Sequence, residues 1–278
     1  MKSEWKHFDF DDVVIILQGY SVNADQMEDL VRYYKNSGFD NIVVSSYDSC
    51  LNKYVKENTV FIANDSIESG EVLSITTNNK SSRERGIKGK EFNVRSDEII
   101  PQIPGSNLNY HILTTKRGVN LAKEIYPQCD YYLKLRADQK LENLNEFIPR
   151  WKQKIDKPPN DIFKKKLLTL GWGKNKQKVC WYISDYWTFG YKDDIINYYN
   201  IPYNTDKRII SHERYIAYKF VSAKVGPEHF GNLVSSDHTR DLNFENFLKE
   251  NWAFDNSIKN FSYKWECYVN DHSACKLQ

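Results

Sequence analysis

The side chains best equipped for chemistry gather where short apolar runs end. The segment CDYYLKLRAD, residues 129–138, is such a run, and it closes on two cations and a carboxylate. Lys134 and Arg136 alternate with Leu135, so on an extended strand both point to the same side. Arg136 carries a planar fork that can grip a diphosphate through paired hydrogen bonds. Asp138 follows it directly, and the plainer alternative for Arg136 and Asp138 is a surface ion pair at a strand end. Asp185 lies in ISDYWTFG, a polar group among apolar and aromatic neighbours. Burial there would raise its pKa and suit it to take up a proton. The alternative is a buried, hydrogen-bonded structural carboxylate. Trp181, Tyr186, Trp187 and Tyr191 around it could stack on sugar faces, although core packing is the better expectation for most of them.

These groups need a scaffold, and the hydrophobic pattern supplies one. DDVVIILQGY, residues 11–20, is a β-branched run with no polar alternation, the mark of a strand buried on both faces. NADQMEDLVRYYKNSGF follows, with Met27, Leu30, Val31 and Tyr34 at helical spacing, Asn23 as N-cap and Gly38 as stop. NIVVSSYDS is a second buried strand, which makes a βαβ unit, and NTVFIAND reads as a third strand. Residues 67–105 are polar and Gly-dotted and predict a loop or exposed hairpin. Further on, the pattern predicts an amphipathic helix in NLNEFIPRWKQKI, a strand or pair of strands followed by a helix across KVCWYISDYWTFGYKDDIINYYN, and a helix in SHERYIAYKFVSAKVG capped by Ser211. Thr114, Thr115, Arg117 and Gly118 are expected to open a helix in their own segment. Free N–H groups at a helix start favour an anion, and a plain cap is the alternative.

In open α/β sheets, ligands settle beyond the carboxyl ends of the strands. That rule collects Gln18 and Gly19, then Ser45, Ser46, Tyr47 and Asp48, then Arg136 and Asp138. Gly19 would let a backbone approach a ligand closely. No G-x-G-x-x-G follows the first strand, no G-x-x-x-x-G-K-[ST] occurs and there is no G-x-S-x-G, so dinucleotide dehydrogenases, P-loop NTPases and α/β-hydrolases are disfavoured.

Composition narrows the field further. A net charge of +2 gives no general case for nucleic acid. Charge is uneven, however: between Arg150 and Lys178 ten basic residues face only Asp156 and Asp161. Such a cluster could meet an anionic membrane or an acidic acceptor, or form a solvated loop. Five scattered cysteines suggest no disulfide framework and a reducing compartment. The N-terminal MKSEWKHFDFDD lacks the apolar stretch of a secretory signal, so the expected location is the cytoplasm, with possible peripheral contact at the inner face of the membrane.

Taken in order, VVIILQG, NIVVSSYDS, ILTTKRGVNLAKE, DYYLKLRAD and ISDYWTFGYKDD resemble the WavE lipopolysaccharide-synthesis family, relatives of GT-A-type glycosyltransferases. The resemblance runs from about Asp11 to Lys224, with a gap over residues 67–105. It implies an α/β, GT-A-like (Rossmann-like) fold with a mostly parallel central sheet flanked by helices and a decorated C-terminal part. The expected organisation is one domain over residues 1–278, its nucleotide-binding half at about 11–140 and its acceptor half at about 141–278. The implied activity is inverting transfer of a sugar from a nucleotide-sugar donor to a surface glycan or lipid-linked glycan, in lipopolysaccharide or capsule synthesis.

That reaction makes demands the residues can be held to. Negative charge grows on the departing diphosphate and must be met by a divalent cation, manganese or magnesium, or by fixed positive groups. Where many GT-A enzymes carry Asp-X-Asp, this chain has Arg136-Ala137-Asp138. Asp138 is therefore the candidate metal or ribose ligand, with Arg136 and Lys134 taking part of the charge. The resemblance also places Thr114 and Arg117 beside the donor and offers Glu213, in the first turn of its helix, as a base competing with Asp185. The alternative for Glu213 is a partner for the helix dipole. His229 would complete the metal shell by the same resemblance, although a lone histidine is more often structural. Two rivals remain: a nucleotidyl- or phospho-transferase on the same fold, and a non-catalytic binder of nucleic acid or anionic membrane.

Overall fold

The computed structural model describes residues 10–19, 24–46, 59–63, 69–72, 100–102, 107–171, 183–205, 211–226, 242–258 and 260–262. Tyr47, Asp48, Trp181, His229 and the last three residues of the basic segment, Lys174, Lys176 and Lys178, lie outside this set.

The first unit forms as its pattern dictates. Strand β1 (Val13–Gln18) is buried along its whole length, and helix α1 (Ala24–Asn36) returns the chain to β2 (Ile42–Ser46), also buried throughout. Gly38 ends the turn with φ +91°, a conformation that favours glycine. Next come β3 (Thr59–Ala63), β4 (Ser69–Val72) and β5 (Ile100–Gln102), the last two pairing with each other in a small separate sheet. Helix α2 (Leu108–Ile125) leads to β6 (Tyr131–Arg136), β7 (Gln139–Leu141), α3 (Leu144–Lys154) and β8 (Leu167–Leu170). The chain continues through β9 (Trp187–Tyr191), α4 (Lys192–Tyr199), α5 (His212–Val225), α6 (Leu242–Asn251), β10 (Trp252–Asp255) and β11 (Asn260–Ser262).

The main sheet has seven strands in the order β10-β8-β9-β6-β1-β2-β3. Strand β1 pairs in parallel with β2 and β6, and β2 with β3. The expectation of a mostly parallel sheet needs correcting. Strand β9 runs antiparallel to both β6 and β8, so the sheet is mixed. An apolar run does not encode its own direction. Trp187 and Phe189 reach one core and Thr188 the other face whichever way the strand points.

Period-two alternation sends side chains to two cores. Val14 and Ile16 pack with α2, α4 and α5, whereas Val13, Ile15 and Leu17 pack with α1 and α3. On the second face Trp151 of α3 stacks on Trp187 with ring centroids 4.6 Å apart, a pairing worth about 0.5–1.5 kcal/mol beyond burial. Helix α2 lies unusually close to the sheet because of Gly118. A Cβ at that position would meet Ile16 Cγ2 at 2.8 Å and Ser45 Cβ at 3.1 Å. Asn109 of α2 then clamps the α4–α5 connection: its Nδ2 donates to the Asn204 carbonyl at 2.9 Å and its Oδ1 accepts from Asn204 N–H at 2.7 Å. That clamp brings the start of α5 over the end of the sheet.

The chain leaves β1 toward β2 and β3, then returns to the other side of β1 as β6. The carboxyl ends of β1 and β6 therefore flank a point where strand order reverses, the position at which open α/β sheets form a ligand crevice. Because β9 is antiparallel, the residues entering it, including Asp185, arrive at that same end. No helix among the described residues is long and apolar enough to cross a membrane.

Candidate functional site

The site grows from β6. Tyr132 faces the core beneath α2, and Lys134 and Arg136 follow it on the same side, as their alternation predicts. Lys134 is wholly buried. Its Nζ donates to the Asp185 carbonyl at 2.5 Å, lies 3.4 Å from His111 Nε2 and sits 5.5 Å from the centre of the Tyr199 ring. Arg136 reaches further out. Its Nε and a terminal nitrogen hold both oxygens of Asp138 at 2.9 and 2.7 Å, and its other terminal nitrogen stands 3.9 Å from Asp185 Oδ2. The guanidinium also packs against Tyr186.

Two helices close the cluster from above. His111 comes from the first turn of α2 and His212 opens α5, which Ser211 caps by accepting from Arg214 N–H. The two imidazoles stack with centroids 5.1 Å apart and planes 16° from parallel. Each turns Nδ1 toward Asp185 Oδ2, at 3.6 Å in both cases. That distance exceeds a hydrogen bond, and neither Asp185 oxygen has a hydrogen-bond partner although the residue is only 3% exposed. Most buried polar atoms are paired, so a bare carboxylate at this depth calls for an explanation.

The electrostatics differ from the sequence expectation. Burial alone would raise the Asp185 pKa, but His212, His111, Arg136 and Lys134 surround it and hold it well below the usual carboxylate value. Asp185 is thus a weak proton acceptor, and its proposed raised pKa is corrected. The raised carboxyl belongs to Glu213, in the first turn of α5, where burial and then the negative charge of Asp185 push it up. Burial pushes the Lys134 ammonium down to about 7, against the attraction of Asp185. Burial likewise, with Lys134 adding to it, keeps His111 well below the ordinary imidazole value and therefore neutral. The cluster combines an ionised carboxylate, a neutral imidazole, a depressed ammonium and a permanent guanidinium within a few ångströms.

The other expected residues are distributed unevenly. Gln18 is buried, and its Nε2 donates to Thr114 Oγ1 at 3.2 Å and lies 3.2 Å from His111 Nδ1, so it braces α2 against β1. Gly19 has φ +97°, with open space where a Cβ would be, and the turn requires it. Ser45 is buried beneath Gly118. Thr114 and Arg117 do not open a helix. Helix α2 begins at Leu108, so both lie in its middle with their N–H groups committed, and the anion-binding reading of that segment is corrected. Thr114 is tolerated there because its hydroxyl donates back to the Tyr110 carbonyl at 2.8 Å. Tyr47 and His229 lie outside the described residues. Several lysines of the basic segment are engaged locally: Lys152 with Asp12, Lys154 with Asp255, Lys164 with Asp193 and Lys166 with Asp156.

His111, Asp185 and His212 present ligand atoms within 4.8 Å of one another and could hold a metal ion. Asp138 stands apart from this group, both oxygens taken by Arg136. Sequence reasoning passed over His111 and His212. The only available signal was that His212 adjoins Glu213 in SHERY and His111 shares an apolar helical run, neither of which distinguishes a ligand from a packed ring. No family model matches the chain, and no curated protein is significantly similar to it. The function is therefore argued from the site.

Proposed function

We propose that the chain is a nucleotide-sugar-dependent glycosyltransferase, GT-A-like in fold and related to the WavE family, that passes a sugar with inversion to a surface-glycan acceptor. The observation that carries this reading is convergence. DYYLKLRAD, ISDYWTFG and the helix bearing ILTTKRG, distant in sequence, meet at the strand-order reversal, and SHERY joins them.

The chemistry follows from what meets there. A departing nucleoside diphosphate needs positive charge in a water-poor setting. Arg136, held rigid by Asp138 through Nε and one terminal nitrogen, offers its other terminal nitrogen to a phosphate oxygen, and Lys134 adds charge beneath it. A divalent cation, manganese or magnesium in the general expectation for this chemistry, would supply Lewis-acid stabilisation of the leaving group. Glu213, with its raised pKa, takes the role of base toward the acceptor hydroxyl. Asp185 is reassigned from base to electrostatic anchor of the histidines and cations. Acceptor delivery from an anionic membrane surface through residues 150–178 belongs to the same proposal.

A thermal-shift screen of nucleotide sugars, with and without manganese, tests the reading. One nucleotide series should raise the melting temperature, and Arg136→Met should remove that shift. If no nucleotide sugar stabilises the protein, the reading fails. If pyrophosphate rather than a nucleoside diphosphate is released on turnover, the same site belongs to a nucleotidyl-transferase.

A further inference from the structure

We propose that His111, His212 and Asp185 form a binding site for a first-row transition-metal dication of the manganese-to-zinc series, rather than for magnesium or calcium. The inference concerns what the cluster binds, and it stands whether or not a sugar is transferred.

Geometry is the first argument. Metal–nitrogen and metal–oxygen bonds of about 2.0–2.2 Å at tetrahedral angles place neighbouring ligand atoms about 3.4 Å apart. The two Nδ1 atoms each lie 3.6 Å from Asp185 Oδ2, too long for a hydrogen bond and close to the edge of such a polyhedron. Near-parallel stacking at 16° aims both nitrogens at the same carboxylate.

Vacant hydrogen-bonding capacity is the second, independent argument. Asp185 is almost fully buried, yet neither oxygen is satisfied. Two nearby cations do not supply the missing bonds: Lys134 directs a donor to the Asp185 backbone carbonyl with its Nζ beside His111, and Arg136 spends Nε and one terminal nitrogen on Asp138, leaving the other 3.9 Å from Asp185 Oδ2. A dication bound by both histidines would fill one of those oxygens.

The donor set decides the class of ion. Two imidazole nitrogens and one carboxylate suit manganese, iron, cobalt, nickel or zinc, whereas magnesium and calcium prefer oxygen alone. One contact must adjust: with the ion on Nδ1, His111 carries its proton on Nε2, where the Lys134 ammonium, also a donor, stands at 3.4 Å. Gln18 Nε2, 3.2 Å from His111 Nδ1, must swing aside to admit the ion. Lys134 and Arg136 oppose a second positive charge, so the site should be of moderate affinity, with the remaining coordination positions left for water or a phosphate oxygen.

Cobalt(II) titration of the full chain, followed by its visible absorption and by calorimetry, tests this. The expected result is one cobalt per chain, displaced by zinc but not by magnesium, with a dissociation constant on the order of micromolar. His212→Ala should weaken cobalt binding at least about tenfold, and Asp138→Asn should leave it unchanged. Melting curves establish that each variant folds. If His111→Ala does not fold, His212→Ala decides, since that ring is partly exposed. Absence of cobalt binding overturns the proposal, as does binding that survives His212→Ala or that is lost in Asp138→Asn.

Discussion

Strand β9 carries a buried aspartate at each end, and the two are treated in opposite ways. Asp194, beyond the strand in the first turn of α4, accepts the backbone N–H groups of Lys164 and Lys165 at 2.8 and 3.0 Å. Asp185, ahead of the strand, is equally buried, yet its carboxylate accepts no hydrogen bond. Instead it faces two imidazoles, a guanidinium and an ammonium. The contrast separates two uses of a buried carboxylate. One whose lone pairs are filled by backbone donors belongs to the fold, here tying the α3–β8 connection to α4. One whose lone pairs stay empty among positive and neutral nitrogen groups has capacity left for a ligand. The two also lie at opposite ends of the strand, and only the Asp185 end coincides with the strand-order reversal.

This contrast can be broken by experiment, and the largest effect should come from Asp185. Asp185→Ala is expected to reduce turnover roughly a hundredfold or more, the scale set by removing one preorganised charged group from an active site. Steady-state kinetics on folded variant would measure it. A variant that keeps wild-type turnover would erase the functional half of the comparison. Next is Asp194→Ala, expected to cost about 1–3 kcal/mol in denaturant unfolding because two half-buried N–H groups lose their acceptor. Cobalt stoichiometry should not change in that variant. If it does, the two ends of β9 are not independent.

Gly118→Ala sharpens the comparison from another side, since the close approach of α2 is what brings His111 down to the sheet. The added methyl would collide with Ile16 and Ser45, and overpacking of this kind costs about 1–3 kcal/mol. Any relief by outward movement of α2 should weaken cobalt binding as well. Gly118→Ala with unaltered stability and unaltered cobalt affinity would contradict this role.

The smallest effects are pH-dependent. Burial raises the Asp194 pKa above its ordinary value, against the pull of the two backbone donors. A raised carboxyl contributes stability that is present below the unfolded pKa and is lost as pH rises through the folded one. Asp255 is the opposite case. Burial would raise it, but Ser257 and Trp151 donate to it and Lys154 stands nearby, so its pKa is lowered. Its contribution is present above the unfolded pKa and is lost as pH falls through the folded one. Unfolding of Asp194→Asn and Asp255→Asn against wild type across the acid range should give slopes of opposite sign. Slopes of the same sign would refute the assignment of causes.

The comparison also marks what the sequence could reveal. The β1–α1–β2 unit was legible because apolar periodicity, a stop glycine and short connections all agree. Ser211 was legible as a cap, and Lys134 and Arg136 as neighbours on one face, because both follow from local geometry. The direction of β9 was not, because pairing partners are chosen by the whole sheet. The start of α2 was misplaced because no proline or glycine punctuates the stretch between Leu108 and Arg117. The histidines were missed for a related reason: His111 and His212 lie on separate helices, and only the tertiary packing brings their nitrogens to one carboxylate. Asp185 was recognised as buried, yet its pKa shift had the wrong sign, because sequence shows burial through apolar neighbours and does not show which cations will surround a group.

The account's central claim is that the Asp185 cluster handles a nucleotide-activated sugar. Product analysis of the full chain incubated with a panel of nucleotide sugars and a glycan acceptor tests it most directly. The account predicts release of a nucleoside diphosphate from one donor, abolished in a folded Asp185→Asn variant and retained in Asp194→Asn. Release of pyrophosphate, release of nothing from any donor, or undiminished turnover in Asp185→Asn would contradict it.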